Sequence, residues 1–284
     1  MSAARADVFV TAAELRQLIE SGDPVAVLDV RWTLAEPDGT EAYLAGHVPG
    51  AVYVSLDDEL SDHGIAGRGR HPLPSGRSVE ASARRWGLRT GVPVVVYDDW
   101  NRAGSGRAWW VLTAAGIPDV RILDGGLAAW TAAGGALQPG PVQPEPGDVV
   151  IAHDDLYRGA RRTITAEEAG THRGLLLDAR APERFRGDVE PMDPAAGHIP
   201  GAVNLPSTQV LAADGTVLPD AELHGLLAER GLTEGAEVGA YCGSGVTAAV
   251  AVAALAAAGV DAALFPGSWS EWASDPTHPV AVGP

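Results

Sequence analysis

The sequence contains no lysine, so its 20 basic residues are all arginine. This absence excludes Schiff-base lysine chemistry, pyridoxal phosphate attachment and a phosphate-binding loop of the P-loop type. Positive charge is also scarce, because 37 acidic residues give a net charge of −17. We therefore expect neither a nucleic acid nor an anionic membrane as a partner, since binding either requires a surplus of positive charge.

Cysteine is equally rare, with Cys242 alone in the chain. A lone cysteine cannot form an intramolecular disulfide, which favours a reducing compartment, and residues 1–7 lack an apolar signal region. We therefore expect a cytoplasmic protein. The longest apolar stretch, 246–264, is interrupted by Gly259 and Asp261, so we expect no membrane span. The scattered histidines and one cysteine show no metal-ligand spacing, and we expect no metal or organic cofactor.

The second half of the chain repeats the first. Four segments return in the same order, and the matched pairs are 27–31 with 176–180, 46–52 with 197–203, 94–98 with 238–242, and 124–130 with 266–272. Four ordered matches indicate a duplicated domain.

Both copies have the pattern of an α/β fold. Each begins with a threonine three residues before a glutamate, the capping box that starts a helix, at 11–14 and 165–168. Short apolar runs then alternate with helical segments, which predicts a mainly parallel sheet with helices on both faces. We expect two such domains, at 1–137 and 161–284, joined by a proline-rich linker at 138–160.

Residues that the two copies share are expected to serve the fold. They comprise an Asp-x-Arg ion pair, a histidine in a Gly-His-x-Pro-Gly turn and a tryptophan anchor. The pairs are Asp29–Arg31 with Asp178–Arg180, His47 with His198, and Trp130 with Trp272.

Chemistry is expected where the copies differ. After the central strand, the first copy has Asp98 and the second has Cys242. A glycine-rich loop, 243–247, and an alanine-rich helix follow Cys242. Strand ends that precede a helix are common sites in open α/β sheets, and the loop N–H groups with the helix dipole favour a thiolate. We therefore predict that Cys242 is the nucleophile and that Asp98 is catalytically silent.

Two thiol chemistries suit such a loop, phosphate-ester hydrolysis and sulfur transfer. A cysteine phosphatase needs an arginine six residues after the cysteine, where this chain has Ala248. A compact loop with no fixed cation is better suited to one additional sulfur atom. This predicts a persulfide on Cys242.

The duplicated pattern, with Asp98 in one copy and Cys242 in the other, resembles the tandem rhodanese-domain sulfurtransferases over essentially the whole chain. The loop sequence Cys-Gly-Ser-Gly-Val-Thr resembles the 3-mercaptopyruvate branch. The thiosulfate branch typically has two basic residues after the cysteine, where this chain has Gly243 and Ser244. The resemblance implies that Gly243, Gly245, Val246 and Thr247 help to bind the substrate.

Further roles are implied by the same resemblance. Arg184 matches a substrate-binding arginine, and its counterpart in the first copy is Ala35. Ser244, His71 and Asp57 match a catalytic relay proposed for the 3-mercaptopyruvate enzymes. The sequence departs from this branch at one position. Met192 stands where the branch has its second substrate-binding arginine. Two nearby arginines that could compensate are Arg180 and Arg186.

The expected activity is transfer of sulfane sulfur from 3-mercaptopyruvate to a thiol, such as that of a thioredoxin-like protein, or to cyanide. The reaction is expected to be ping-pong, with the Cys242 persulfide as the intermediate. Two alternatives remain open. One is a thiosulfate:cyanide sulfurtransferase on the same scaffold, and the other is a non-catalytic persulfide carrier or redox-sensing module.

Overall fold

The computed structural model describes residues 2–284 and contains two sheets whose named strands all pair in parallel. The first sheet has the order β1-β5-β4-β2-β3, and the second has the order β7-β6-β8-β9. The strands are β1 (Phe9–Val10), β2 (Ala26–Asp29), β3 (Val52–Tyr53), β4 (Val94–Tyr97), β5 (Val120–Leu123), β6 (Leu175–Asp178), β7 (Val203–Asn204), β8 (Val238–Tyr241) and β9 (Ala262–Leu264). The prediction of two α/β domains with parallel sheets is confirmed.

Helices connect the strands in both domains. In the first domain they are α1 (Ala3–Ala6), α2 (Ala12–Ser21), α3 (Thr40–Ala45), α4 (Leu56–Glu59), α5 (Gly76–Arg85), α6 (Ala103–Ala114) and α7 (Gly126–Ala132). In the second domain they are α8 (Ala166–Gly170), α9 (Pro182–Arg186), α10 (Asp220–Glu229), α11 (Thr247–Ala257) and α12 (Ser268–Trp272). No helix formed by residues 2–284 combines the length and apolar character needed to cross a bilayer.

The predicted capping boxes are present at α2 and α8. The hydroxyl of Thr11 accepts a hydrogen bond from the N–H of Glu14 at 3.2 Å, and the Glu14 carboxylate accepts one from the N–H of Thr11 at 2.9 Å. Thr165 and Glu168 make the same reciprocal bonds at 3.2 Å and 2.7 Å. Each box satisfies backbone donors that the first helical turn leaves without partners.

The repeated Asp-x-Arg motif forms a buried ion pair in each domain. Asp29 lies 2.7 Å from Nη2 of Arg31, which also donates to the carbonyl of Gly46 at 2.6 Å. Asp178 lies 2.6 Å from Nη2 of Arg180, which makes the equivalent bond to the matching glycine turn. The pairs tie the end of a central strand to the Gly-His turn, so the predicted structural role is confirmed.

The repeated histidines are also part of the scaffold. Nδ1 of His47 lies 2.9 Å from the carbonyl oxygen of Tyr43, and Nδ1 of His198 lies 2.8 Å from that of Phe185. Each imidazole stacks on the ring of the same partner residue, with centroids 4.1 Å and 3.8 Å apart. Both histidines are buried, which agrees with a role in packing.

Three hydrophobic clusters make up the core. The largest extends through both domains and includes buried side chains of α6 and α11. Two smaller clusters each belong to one domain, one around Trp130 and the other around Trp272. Because the main cluster is shared, the two domains are joined by a common apolar core.

Residues 138–160 run along the first domain. Gln138 pairs with His47 in an antiparallel bridge, and the N–H of Gly147 donates to the carbonyl of Arg84 at 2.7 Å. The N–H of Ala152 donates to Ala115 at the end of α6, and a short 3-10 helix follows at Leu156–Arg158. Most of the segment has no regular secondary structure, and it is held to the first domain by these hydrogen bonds.

Close packing of α6 against α11 joins the domains. A β-carbon placed on Gly106 of α6 would lie 3.1 Å from Cγ2 of Val250 and 3.2 Å from its backbone nitrogen. Real β-carbons rarely approach other atoms this closely, so the helix spacing depends on a glycine at this position.

We expect Gly106→Ala to destabilise the protein and Gly225→Ala to stabilise it. Gly225 lies in α10 with open space around it, so alanine there should add about 0.5–1 kcal/mol of helix propensity. At Gly106 the same gain is opposed by overpacking that costs about 1–3 kcal/mol. Urea unfolding of both variants measures the difference. Equal stabilisation by the two changes would contradict a tight helix contact.

Candidate active site

Cys242 lies between the end of β8 and the start of α11, and its side chain is buried. Its sulfur accepts a hydrogen bond from the N–H of Gly245 at 3.2 Å. Gly245 has φ +76°, and a β-carbon there would lie 2.3 Å from the carbonyl oxygen of Pro266. Only glycine fits this position, so the loop geometry that presents an N–H to sulfur is fixed by the sequence.

The loop retains unused hydrogen-bond donors. Within residues 2–284, the backbone N–H groups of residues 243, 244, 246 and 247 have no protein acceptor. They belong to the loop that joins Cys242 to the N-terminus of an 11-residue helix. Converging N–H groups and a helix N-terminus stabilise negative charge, as a thiolate or a persulfide requires.

Residues 268–270, which follow β9, form hydrogen bonds with the backbone of this loop. The N–H of Cys242 donates to Oγ of Ser268 at 3.1 Å, and the carbonyl of Cys242 accepts from the N–H of Trp269 at 2.9 Å. The carbonyl of Gly243 accepts from the N–H of Ser270 at 2.9 Å. Ser268 has φ +54°, unusual for a residue with a side chain. These bonds hold the backbone of the loop in place.

The first domain contributes two predicted residues to the same site. Nδ1 of His71 lies 2.8 Å from Oγ of Ser244, and Nε2 of His71 lies 3.4 Å from a carboxylate oxygen of Asp57. Trp32 donates its indole N–H to that oxygen at 3.2 Å. The structure therefore brings Asp57, His71 and Ser244 together beside Cys242.

Burial is the main reason that the pKa of His71 falls to about 3, and electrostatic interactions with Arg107, His63 and Arg70 contribute to the same shift. The imidazole is therefore neutral at physiological pH. An ionised carboxylate can only accept hydrogen bonds, so a neutral His71 with its proton on Nε2 would face Asp57. Its Nδ1 would then accept the hydroxyl proton of Ser244, which orients that hydroxyl.

Arg107 of α6 is a buried cation that the sequence analysis missed. Its guanidinium donates to the carbonyls of Leu60, His71 and Gly245 at 3.0 Å, 2.9 Å and 3.3 Å. Burial lowers its pKa to about 10, which leaves it charged at neutral pH. Arg107 therefore ties the His71 segment to the Cys242 loop across the domain interface. Its counterpart in the second copy is Ala251, an asymmetry that could have revealed it.

Arg184 lies in the pocket as predicted, but one edge of its guanidinium is already occupied. Its Nε and Nη2 donate to the carboxylate of Glu190 at 3.2 Å and 2.6 Å, and Nη2 lies 3.4 Å from Asp193. The Nη1 group makes no hydrogen bond to residues 2–284. A donor carboxylate could bind this edge of Arg184, through Nε and Nη2, only by displacing Glu190.

Neither arginine suggested as a replacement for the missing one is available. Arg180 is bound to Asp178, and Arg186 pairs with Asp188 at 2.7 Å and does not line the pocket. The side chain of Met192 is 44% exposed. Its loop contributes buried carboxylates to the site instead of a cation.

The cysteine loop contains no basic residue of its own, but Arg70 reaches it from the first domain. A β-carbon on Gly243 would lie 3.0 Å from Nη2 of Arg70 and 3.4 Å from Nη1 of Arg184. Both guanidinium groups therefore stand over the residue that follows Cys242. No local sequence pattern indicates this contact, because Arg70 and Gly243 lie in different domains.

Asp98, the counterpart of Cys242, is bound within its own loop. One carboxylate oxygen accepts from the N–H and hydroxyl of Ser105 at 2.9 Å and 2.7 Å. The other accepts from the N–H of Trp100 at 3.1 Å and lies 3.0 Å from the buried guanidinium of Arg102. In the first copy the carboxylate of Asp98 is thus the acceptor for the N–H groups of its own loop.

A pocket of about 290 Å³ opens above Cys242 between the domains. It is lined by Trp32, Leu34, Arg70, Trp100, Asn101, Ala103, Ala179, Arg180, Ala181, Arg184, Ser207, Cys242, Gly243, Ser244, Val246 and Thr247. Gly245 lies beneath this surface, with its N–H on sulfur. Leu34 and Trp100 are more than half exposed and form part of the rim. No cluster of three or more His, Cys, Asp or Glu suited to a metal ion occurs within 2–284.

The family model of the rhodanese-like domain matches residues 11–133 and again residues 163–275. The chain belongs to the rhodanese family. It is 67% identical over 280 residues to the Mycobacterium tuberculosis protein SseB, whose name carries thiosulfate sulfurtransferase as a provisional activity, with 99% of both chains covered. It is 44% identical to a Pseudomonas aeruginosa protein provisionally named 3-mercaptopyruvate sulfurtransferase, covering 97% of this chain and 98% of the relative.

A solved structure supports the same assignment. The Escherichia coli 3-mercaptopyruvate sulfurtransferase SseA superposes with a TM-score of 0.80 and 32% sequence identity, covering 92% of this chain and 98% of SseA. The protein is a sulfurtransferase with two rhodanese domains, as the resemblance in the sequence implied.

Asp98→Ala should separate stability from sulfur loading. Removing the carboxylate leaves the Arg102 guanidinium buried and unpaired, a change that typically costs about 3–5 kcal/mol. We expect a lower unfolding free energy, while the folded variant still takes up one sulfur per chain, as intact-mass measurement would record. A folded variant that takes up no sulfur would place chemistry in the first domain's loop.

His71→Asn should flatten the dependence of stability on pH. The unfolded chain binds one more proton than the folded chain between pH 3 and 6.5, because the folded-state pKa of His71 is depressed. The stabilisation is complete above pH 6.5 and declines as pH falls, by about 1.4 kcal/mol per unit. Urea unfolding between about pH 5 and 6.5 should show a shallower slope for the variant than for the wild type. Parallel slopes would mean that His71 is protonated in the folded protein.

Proposed function

We propose that this rhodanese-family sulfurtransferase takes sulfane sulfur from 3-mercaptopyruvate and carries it as a persulfide on Cys242. The sulfur then passes to a thiol or to cyanide. One observation carries the choice of donor: Oγ of Ser244, two residues after Cys242, lies 2.8 Å from Nδ1 of the neutral His71. A hydroxyl held in this way beside the sulfur suits a reaction in which a proton must move.

The first half-reaction with 3-mercaptopyruvate transfers a proton as well as sulfur. The Cys242 thiolate attacks the donor sulfur, the donor's carbon–sulfur bond breaks, and its electron pair leaves as the enolate of pyruvate. The outer sulfur of the new persulfide still carries the donor's thiol proton, which must reach the enolate carbon to give pyruvate and a persulfide anion. The Ser244 hydroxyl, oriented by His71 and Asp57, is placed to pass this proton, and the free N–H groups of the loop stabilise the anion.

Thiosulfate is a second candidate donor. The provisional name of the 67% identical relative favours it, and two guanidinium groups stand beside Gly243, where a sulfonate could bind. Its half-reaction needs no proton, because sulfite leaves as an anion and the persulfide forms directly. With thiosulfate the Ser-His-Asp arrangement would have no proton to transfer. We therefore propose 3-mercaptopyruvate as the better donor.

The second half-reaction requires an acceptor that reaches a buried sulfur. Cys242 is only 1% exposed, at the floor of a pocket whose rim includes the exposed Leu34 and Trp100. A small thiol, cyanide or a protruding cysteine of a thioredoxin-like protein could enter from this side. A reducing compartment would supply such thiols and keep Cys242 reduced, so we place the enzyme in the cytoplasm.

The carrier role of Cys242 is tested by mass. After treatment with 3-mercaptopyruvate, the wild type should gain one sulfur atom per chain and release one pyruvate. Cys242→Ser should gain none, because serine cannot form a stable persulfide. A sulfur adduct that persists in this variant would contradict the mechanism. Sulfur loading without turnover in the presence of thiols would favour a carrier or sensor.

Ser244→Ala should distinguish the donors. Loss of the proton path should lower kcat with 3-mercaptopyruvate by roughly 10²-fold, the usual contribution of a positioned proton donor, and leave thiosulfate turnover nearly unchanged. Ser21→Ala, at the exposed end of α2, is the matched control and should change neither rate. Equal losses with both donors would show that Ser244 shapes the loop and does not move a proton. If the wild type itself prefers thiosulfate in kcat/KM, the donor assignment is wrong.

A further inference from the structure

We propose that Arg107 of the first domain is a positioning residue for sulfur transfer, whose buried positive charge stabilises the anionic sulfur of Cys242 in the second domain. The proposal rests on the proposed role of Cys242 as the sulfur carrier, but it does not depend on which donor supplies the sulfur. Arg107 lies in α6 and does not line the pocket above Cys242. Its contribution is therefore distinct from donor binding.

Arg107 is a completely buried cation whose hydrogen bonds within residues 2–284 all go to backbone carbonyls. Its Nε and Nη2 donate to Leu60 at 3.2 Å and 3.0 Å, and Nη2 also donates to His71 and Pro72 at 2.9 Å and 3.3 Å. Buried charges in proteins are normally paired with an opposite charge, because their removal from water is costly. Here the carbonyl oxygens satisfy the N–H groups but leave the positive charge without a counter-ion.

The guanidinium of Arg107 and the sulfur of Cys242 both form a hydrogen bond with Gly245. Nη1 of Arg107 donates to the Gly245 carbonyl at 3.3 Å, and the N–H of Gly245 donates to the sulfur at 3.2 Å. The described chain has no cis peptide bond, so the carbonyl of Gly245 and the N–H of Val246, which share one peptide unit, point in opposite directions. A cation on this carbonyl polarises the unit and strengthens the free N–H of Val246 as a donor. Arg107 therefore acts on the cysteine loop through a hydrogen bond as well as through its charge.

Of the ionisable groups that interact with Arg107 in the described chain, Cys242 is the one that can carry the opposite charge. Burial lowers the pKa of Arg107 to about 10, and electrostatic interactions with Tyr157 and Cys242 oppose this fall. Burial raises the pKa of Tyr157, so its phenol is neutral at physiological pH. The charge of Arg107 also contributes to the lowered pKa of His71, so this imidazole is neutral as well. A thiolate or persulfide anion on Cys242 is thus the group that completes the ion pair.

The comparison of the two copies supports this pairing, because each loop has one fully buried arginine close to it. In the first copy the carboxylate of Asp98 lies 3.0 Å from the guanidinium of Arg102 in the same loop. The position that matches Arg102 in the second copy is Val246, so the cysteine loop has no cation of its own there. Arg107 supplies the cation from the other domain. Its own match in the second copy is Ala251, so the second domain offers no cation in return at this position.

The helix contact that joins the domains fixes the place of Arg107. The preceding residue, Gly106, packs so closely on Val250 that a β-carbon there would lie 3.1 Å from Cγ2 of Val250. The side chain of Arg107 is completely buried, and its carbonyl partners come from both domains. The guanidinium therefore cannot turn toward solvent while the domains remain packed together.

Alkylation of Cys242 by iodoacetamide tests the proposal without any sulfur donor. The reagent is neutral, and the thiolate attacks its carbon and displaces iodide, so the rate follows the population of the thiolate. For Arg107→Gln we expect the rate at pH 7 to fall about tenfold, because a nearby opposite charge favours the ionised form by about this factor or more. Arg107→Lys keeps the charge and should retain most of the rate. Arg161→Gln, an equal change of charge at a side chain packed on Trp109 of the same helix, is the control and should react like the wild type.

Arg107→Met gives a second neutral variant in case Arg107→Gln does not fold. An apolar side chain removes the cost of the buried charge, and such replacements often preserve stability. Urea unfolding identifies which variants are folded, and we expect the same slow alkylation in each folded neutral variant. Alkylation at the wild-type rate in either one would overturn the proposal. Equally slow alkylation of Arg107→Lys would also overturn it, because lost hydrogen bonds to the loop, and not the lost charge, would then explain the effect.

Single-turnover kinetics separate this proposal from the proposed function. Arg107→Gln should slow persulfide formation about tenfold with each donor that the wild type accepts, whereas the donor concentration at the half-maximal rate should change little. A loss confined to one donor, or a change in the half-maximal concentration alone, would overturn the role of Arg107, because the side chain would then act on the donor. The same loss with every donor in an enzyme that prefers thiosulfate would support the role of Arg107 and reject only 3-mercaptopyruvate as the better donor.

Discussion

The packing of α6 against α11 is the contact on which the rest of the structure depends. It brings the backbone of Gly106 against Val250 and merges the apolar residues of both domains into one core. Because α11 begins directly after the cysteine loop, the same contact presents that loop to the first domain. Arg107, one residue after Gly106, then ties the two sides together through carbonyls on both. A nucleophile in one domain can thus use side chains from the other.

The equivalent loops of the two copies surround different side chains. In the first domain, the Asp98 carboxylate occupies the anion-binding position, where loop N–H groups and the buried Arg102 satisfy it. In the second domain, the shorter side chain of Cys242 leaves most of the loop N–H groups free. The first domain has an aspartate where the second has its cysteine, yet it supplies part of the pocket wall and the contact to Ser244.

Much of this arrangement could be predicted from the sequence, and the reasons for the rest are physical. The repeat, the capping boxes at Thr11 and Thr165 and the Asp-x-Arg pairs are local patterns, so the fold followed from them. Comparison of the copies singled out Cys242, and the resemblance brought in Asp57, His71 and Ser244. Arg70 and Arg107 were missed because their importance depends on contacts across the domain interface, which no local spacing encodes.

The central claim is that both domains build one site around the sulfur of Cys242. A crystal structure of the enzyme treated with 3-mercaptopyruvate, with pyruvate retained, tests it most directly. The account predicts a persulfide whose outer sulfur is held by the N–H groups of residues 243–247. It also predicts that pyruvate lies in the pocket between the domains, with the Ser244 hydroxyl near the reacting carbon. A pyruvate bound outside this pocket, or a persulfide turned away from the first domain, would contradict it.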